Sequence, residues 1–336
     1  MTRPTPPLLP IAPFIALLTA LLIAPLVACN SGPTRERDRS PDRQPVPALA
    51  PGPPIVPTAE SAAAATYLGL DVAPEVTLSG GRWQGPPFTP GGASEPTATL
   101  LRGFILSGDL DGTGPDEAAV LVATNSGGSG TSHYLAVLSG NSGRVLNVGT
   151  VLLGDRVAVR RARLAERKIE LDVVQPGPDD ARCCPSQKAT RVFVLAGGTL
   201  QEASATVTGT LSLTDLGGVE WVLRGFDQDD PVPAAPRVTL TFDSERIAGR
   251  AGCNRYEGRV TAGGSPGDIE VDGRLAATEK ACAPVVMRIE ERYLAALGTI
   301  EKYQFLATRL ALLYGENGTY RLLLFEAQPT TPAGSR

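Results

Sequence analysis

The amino-acid sequence predicts an α+β fold, mainly antiparallel β, with two β-rich domains over residues 63–203 and 210–327. Three observations carry the prediction. Apolar and polar residues alternate with a period of two in short runs bounded by Gly, Asp and Pro, the pattern of half-buried strands. Such runs occur in both segments, as in "KIELDVVQ" and "RVTLTFD". Helical spacing is strongest after Pro284, where Val286, Ile289, Tyr293 and Leu297 fall on one stripe, so the second domain is expected to be a curved sheet with one packed helix.

Residues 1–28 read as a leader. Arg3 precedes an apolar run, Leu8 to Ala28, that Pro10, Pro13 and Pro25 interrupt. Its unbroken core, Phe14 to Ala24, is too short to span a bilayer comfortably. A positive start, a short apolar middle and small residues at the end describe a secretory signal peptide. Leu26-Val27-Ala28-Cys29 resembles the lipobox of bacterial lipoproteins. The resemblance implies that the Cys29 sulfur receives a diacylglycerol, that residues 1–28 are removed, and that the new amino terminus is acylated, with palmitate as a typical chain. Two or three chains, at about 0.8 kcal/mol per buried CH₂, anchor a protein stably where one is marginal. Asn30 follows the cysteine. In Gram-negative lipoproteins an aspartate there often marks inner-membrane retention, so the expected location is the outer membrane. In an organism without one it is the outer face of the cytoplasmic membrane.

Residues 29–62 are rich in Pro and charge and poor in aliphatic periodicity, so they cannot bury enough apolar surface to fold. They are expected to be a disordered tether reaching on the order of 90 Å, at about 3.1 Å per residue. Within the chain that follows, the alanine-rich Ser61 to Leu68 reads as a short helix. Residues 328–336 are expected to be a disordered tail. The net charge of −4 and an aromatic content of 5% come with no basic stripe, which argues against nucleic acid as a partner.

Four cysteines remain after Cys29: Cys183, Cys184, Cys253 and Cys282. In an exported protein pairing is the default, and four cysteines allow three connectivities. The favoured one pairs Cys253 with Cys282 and leaves Cys183 and Cys184 as a strained vicinal bridge or as two thiols. A zinc site is disfavoured because there is no Cys-x-x-Cys and His133 is the only histidine. A redox role for the adjacent pair competes with a rigid loop fixed by Pro185.

In the first domain "RVAVRRARL", "KIELDVVQ" and "ATRVFVLAG" alternate, with Val157 and Val159, then Ile169, Leu171 and Val173, then Val192 and Val194 facing inward. "EAAVLVAT" and "HYLAVLSG" read as strands buried on both faces. The candidate site is "GDLDGTGPDEAAV", where Asp109, Asp111, Thr113 and Glu117 occupy positions 1, 3, 5 and 9 of a loop. Oxygens at alternate positions can face one hard cation, and Gly112 and Gly114 permit the turn, so the loop is a candidate for Ca²⁺. It resembles the calcium loops of FG-GAP-type repeats, with Thr113 and Glu117 in place of aspartates and Val120 where an EF-hand has glutamate. An Asp-Gly turn that binds nothing is the alternative. A serine nucleophile in "NSGGSGTSHY" is disfavoured, because Thr131 stands where Gly-x-Ser-x-Gly needs glycine and His133 sits only four residues from Ser129.

The second domain opens with "LGGVEWVLRGF" and carries Gly252-Cys253-Asn254-Arg255-Tyr256 and Thr278-x-x-Ala281-Cys282. "RVTLTFD" points Val238, Leu240 and Phe242 inward, and Asn317-Gly318 between apolar runs signals a hairpin. Pro284 suits the first turn of the helix and Gly298 its C-terminal cap. Over about residues 210–327 these features resemble the META domain of the HslJ heat-shock lipoprotein family, with Lys280 where methionine is common. The resemblance implies envelope association, a stress-response role and, in some members, effects on antibiotic resistance or secretion; it does not imply catalysis. The motif residues read either as a ligand-facing cluster or, more simply, as a disulfide and a turn asparagine. The expected function is therefore a non-enzymatic, membrane-anchored envelope lipoprotein that binds or assists an unknown envelope protein or ligand. A calcium-stabilised extracellular binding module is the alternative, and an envelope hydrolase or thiol enzyme comes third.

Overall fold

A computed structural model describes residues 55–328, except 142, 273 and 317. The leader, Cys29, most of the tether, Asn317 and the tail after Gln328 lie outside the described residues.

The described chain begins with a single helical turn, α1 (Ala59–Ala62), and a hairpin of β1 (Thr66–Leu70) and β2 (Ala73–Thr77). The helix expected over Ser61 to Leu68 is thereby corrected. A capping box between Thr58 and Ser61 starts the turn, and Thr66 already pairs with Thr77. So short a helix does not offset its own nucleation, whereas Tyr67 buries fully in the hairpin and donates its hydroxyl to Ala62 O at 2.8 Å. The ordered chain also starts earlier than the tether boundary at 62. Ile55 lies directly on Gly140, where a Cβ would overlap the Ile55 carbonyl oxygen, so only glycine permits the approach.

A five-stranded antiparallel sheet follows, in the order β3 (Arg82–Gln84), β4 (Thr97–Gly108), β5 (Glu117–Asn125), β6 (Ser132–Asn141) and β7 (Arg144–Asp155). β5 and β6 are central and covered on both sides, which is why they read as near-continuous apolar runs. Val120, Val122 and Tyr134 meet α1 and the β1–β2 hairpin in one core. Ala119, Leu121, Leu135 and Val137 meet a second sheet in another. That sheet is a four-stranded meander of β8 (Ala158–Ala165), β9 (Lys168–Gln175), β10 (Gln187–Ala196) and β11 (Thr199–Thr210).

In β10 the expected facing is reversed. Ala189, Arg191, Phe193 and Leu195 are buried, and Val192 and Val194 are only half-buried on the other face. The cause is Arg191. Its guanidinium makes two bonds to Glu202, at 2.9 and 2.7 Å, and a third to Leu153 O at 2.6 Å. A fully partnered arginine can sit inside, and with a period of two that choice turns every neighbour over.

After a 3-10 turn (Leu213–Leu216) comes a larger antiparallel sheet. Its strands are β12 (Glu220–Phe226), β13 (Thr239–Asp243), β14 (Arg246–Arg250), β15 (Arg255–Ala262), β16 (Ile269–Val271) and β17 (Ala276–Ala277), then, beyond helix α2 (Pro284–Leu297), β18 (Ile300–Leu306), β19 (Arg309–Glu316) and β20 (Thr319–Gln328). The spatial order is β16-β15-β14-β13-β12-β20-β19-β18, with β17 beside β15. The sheet curls until its ends meet, where Tyr303 N donates to Gly267 O at 2.7 Å and Asp268 bridges to Lys302. Val238, Leu240 and Phe242 are buried as the alternation predicts, together with Trp221 and, from α2, Tyr293 and Leu297.

The two β-rich segments are joined rather than strung apart: all described residues fall in one compact unit. The core of the larger sheet takes in Ala158 and Val174 from β8 and β9. A register shift between Val159 and Arg161 places Arg160 over Phe305, 3.4 Å from the ring centroid, and beside Trp221 at 5.4 Å. Burial lowers the Arg160 pKa to about 10. Val159 N donates to Ala307 O at 3.0 Å, and Lys188 pairs with Asp215 at 2.9 Å across the same seam.

Candidate functional site

The motif Gly252 to Tyr256 occupies the turn from β14 to β15 and the start of β15. Gly252 has φ of +118°, which a side chain would strain, and Ala251 N closes the turn on Asn254 O at 2.8 Å. Cys253 and Cys282 lie at disulfide distance, with Cα atoms 6.0 Å apart, so the segment before α2 is tied to this turn. Asn254 is buried and uses its whole side chain. Its Oδ1 accepts from Thr278 Oγ1 at 2.8 Å and Lys280 N at 2.7 Å; its Nδ2 donates to Lys280 O at 3.0 Å and Glu290 Oε1 at 2.6 Å.

Glu290, on α2, completes the cluster. Its Oε2 accepts from the backbone N–H groups of Cys253 and Asn254 at 3.0 and 2.6 Å, so the buried carboxylate holds three donors of the turn. No sequence motif singles it out. The signal was nonetheless present, because position 290 lies on the same helical stripe as Val286, Tyr293 and Leu297. A charge on an apolar stripe announces a buried partner. Tyr256 donates to Thr239 O at 2.8 Å and shares a 2.6 Å bond with Tyr293, and burial raises the pKa of both phenols. Four of the five motif residues thus hold the turn to the helix and to the core. Arg255 alone is exposed and points away from this network.

Asp109, Asp111 and Glu117 also come together, each offering an oxygen within 4.8 Å of the others, as the spacing predicts. A hard cation suits such donors, although calcium takes six to eight oxygens and the rest would have to come from backbone and water. The same groups also serve the loop itself. Asp109 Oδ1 accepts from Gly112 N at 2.6 Å, Asp111 Oδ1 from Thr113 N at 2.7 Å and Thr113 Oγ1 at 2.9 Å, and the buried Glu117 from Leu110 N at 2.9 Å. Thr113 is therefore bonded to Asp111 through its hydroxyl hydrogen.

Cys183 and Cys184 are at disulfide distance, 3.7 Å between Cα atoms, in a half-exposed loop that Asp180 pins through Gly177 N and Ser186. His133 is not paired with Ser129. It is buried at the start of β6, its Nδ1 has no partner, and desolvation lowers its pKa from 6.5 to about 4.

No curated protein matches the chain. Among solved structures, the NMR structure of a protein from Burkholderia xenovorans is 28% identical over 34% of this chain and 86% of that one, with a TM-score of 0.28. Residues 214–328 match the model of the META domain, which spans the 3-10 turn, the curled sheet and α2. With the disulfide, the buried Asn254 and the helix that carries Glu290 all inside that span, residues 214–328 of this chain are a META domain.

Proposed function

We propose that the chain is a membrane-anchored cell-envelope lipoprotein that acts without catalysis, binding or assisting other envelope components in an HslJ-like stress-response role. The observation that carries the reading is the cysteine usage. All four cysteines among the described residues lie at disulfide distance, the state expected of a protein that folds in an oxidising compartment. The lipobox-like Leu26 to Cys29 supplies an anchor consistent with that compartment. The asparagine, cysteine and tyrosine side chains of the META motif are engaged in holding the fold, which speaks against a catalytic role for them. Mass spectrometry of the protein from the membrane fraction should find Cys29 as the first residue, carrying a diacylglycerol. An uncleaved, unmodified leader on a cytosolic product would overturn the reading.

A second reading, a calcium-stabilised module, rests on the closeness of the three carboxylates at Asp109, Asp111 and Glu117. Calcium at about ten times its dissociation constant would stabilise the fold by about 1.4 kcal/mol, and Asp109→Ala should remove the gain. An unchanged melting temperature in millimolar calcium eliminates this reading.

A further inference from the structure

Arg255 is the one motif residue whose side chain the fold does not use, although its backbone bonds to Thr278. On the β14–β15 hairpin it stands directly opposite Arg250. Thr239 Oγ1 accepts from Arg250 N at 3.2 Å, so the Arg250 backbone is engaged toward β13. The Arg250–Arg255 pair is therefore of the closely spaced, non-hydrogen-bonded kind, with Cβ atoms about 4.5–5.5 Å apart. Two like charges so placed destabilise a hairpin. Neither guanidinium has a hydrogen bond, ion pair or ring contact among the described residues.

Both arginines line an open cleft of about 630 Å³. Its floor is low because Ala248 stands where a larger side chain would fill it. Two carboxylates also line it, but each is already held: Glu220 by Arg237 and Glu257 by Arg246. The charge left over in the cleft is that of Arg250 and Arg255. Arg259, opposite Arg246 on the same exposed face, extends the positive surface.

We propose that this cleft binds a phosphate oxyanion between Arg250 and Arg255. A planar carboxylate presents two oxygens to one guanidinium fork. A tetrahedral phosphate has oxygens enough for two forks arriving from adjacent strands, and its charge removes the repulsion between them. The phosphate can belong to a free anion or to a lipid headgroup, and the chemistry of recognition is the same. The proposal is independent of the lipid anchor at Cys29.

The test uses the full chain at low ionic strength, with two probes. Inorganic phosphate is titrated by calorimetry, and sedimentation is measured with phosphatidylcholine vesicles with and without phosphatidylglycerol. Any acyl chain or apolar leader acts equally on both vesicles, so only the increment due to phosphatidylglycerol is read. In the double variant Arg250→Gln, Arg255→Gln, phosphate affinity should fall about tenfold or more, or the phosphatidylglycerol increment should vanish. The first result assigns a free oxyanion and the second a headgroup. Arg144→Gln, an exposed arginine elsewhere, should change neither. The substituted side chains are exposed and repel each other, so a melting temperature that does not fall verifies the fold. The site is overturned if neither phosphate binding nor the increment is detected, or if whichever of them is detected persists in the double variant.

Discussion

Replacing Glu290 by alanine is expected to destabilise the protein by about 3–5 kcal/mol. The carboxylate is buried and accepts from Cys253 N, Asn254 N and Asn254 Nδ2. Its removal leaves three buried donors without an acceptor, and each unsatisfied group costs about 1–3 kcal/mol. The Cys253–Cys282 disulfide keeps the turn near α2, so water has little room to replace the lost oxygen atoms. Glu290→Gln keeps the size but turns one acceptor into a donor facing the turn, and should cost about 2 kcal/mol. Urea unfolding of the two variants measures both. A loss below about 1 kcal/mol for the alanine variant would mean that the turn holds its shape without this carboxylate.

Stability is expected to fall by about 3 kcal/mol between pH 6.5 and pH 4 through His133 alone, at about 1.4 kcal/mol per pKa unit. Burial lowers its pKa from 6.5 to about 4, with Asp155 opposing in part. Above pH 6.5 the imidazole is neutral in the folded and unfolded chain alike, and the contribution is fully present. As the pH falls through 6.5 the unfolded chain takes up a proton that the folded chain refuses, so the unfolded state gains. The contribution is lost as the pH approaches 4. Carboxylates also titrate in this range, so the quantity to measure is the difference in pH dependence between the wild type and His133→Gln. His133 is the only histidine of the chain, so its imidazole resonance can be followed without overlap. An imidazole that titrates near 6.5 in the folded protein contradicts the prediction.

The strands were legible where burial follows polarity. β5 and β6 read as fully buried because no charge interrupts their middles, and α2 showed its stripe, its Pro start and its Gly end. The reading failed where a charged group found partners inside. Arg191 is inward because Glu202 and Leu153 O meet it there, and no local pattern reports a partner eleven or thirty-eight residues away. His133 begins a strand as the sequence suggests, but its burial without a partner for Nδ1 depends on what the neighbouring strands place over it. The acidic loop was legible by spacing, but not the bonds by which Asp111 takes up Thr113.

The sequence by itself determined the antiparallel architecture, the META segment and the positions of the turns. Those depend on periods of two and of 3.6 and on Gly, Pro and Asn, all of which act over a few residues. Only the tertiary structure decided that Asn254 and Glu290 share one buried network, that Arg160 joins the two sheets, and that Arg250 faces Arg255 across an open cleft. Each of these depends on which charges meet after the chain has folded back on itself. Their energies come from desolvation and from partners distant in sequence, which local pattern does not encode.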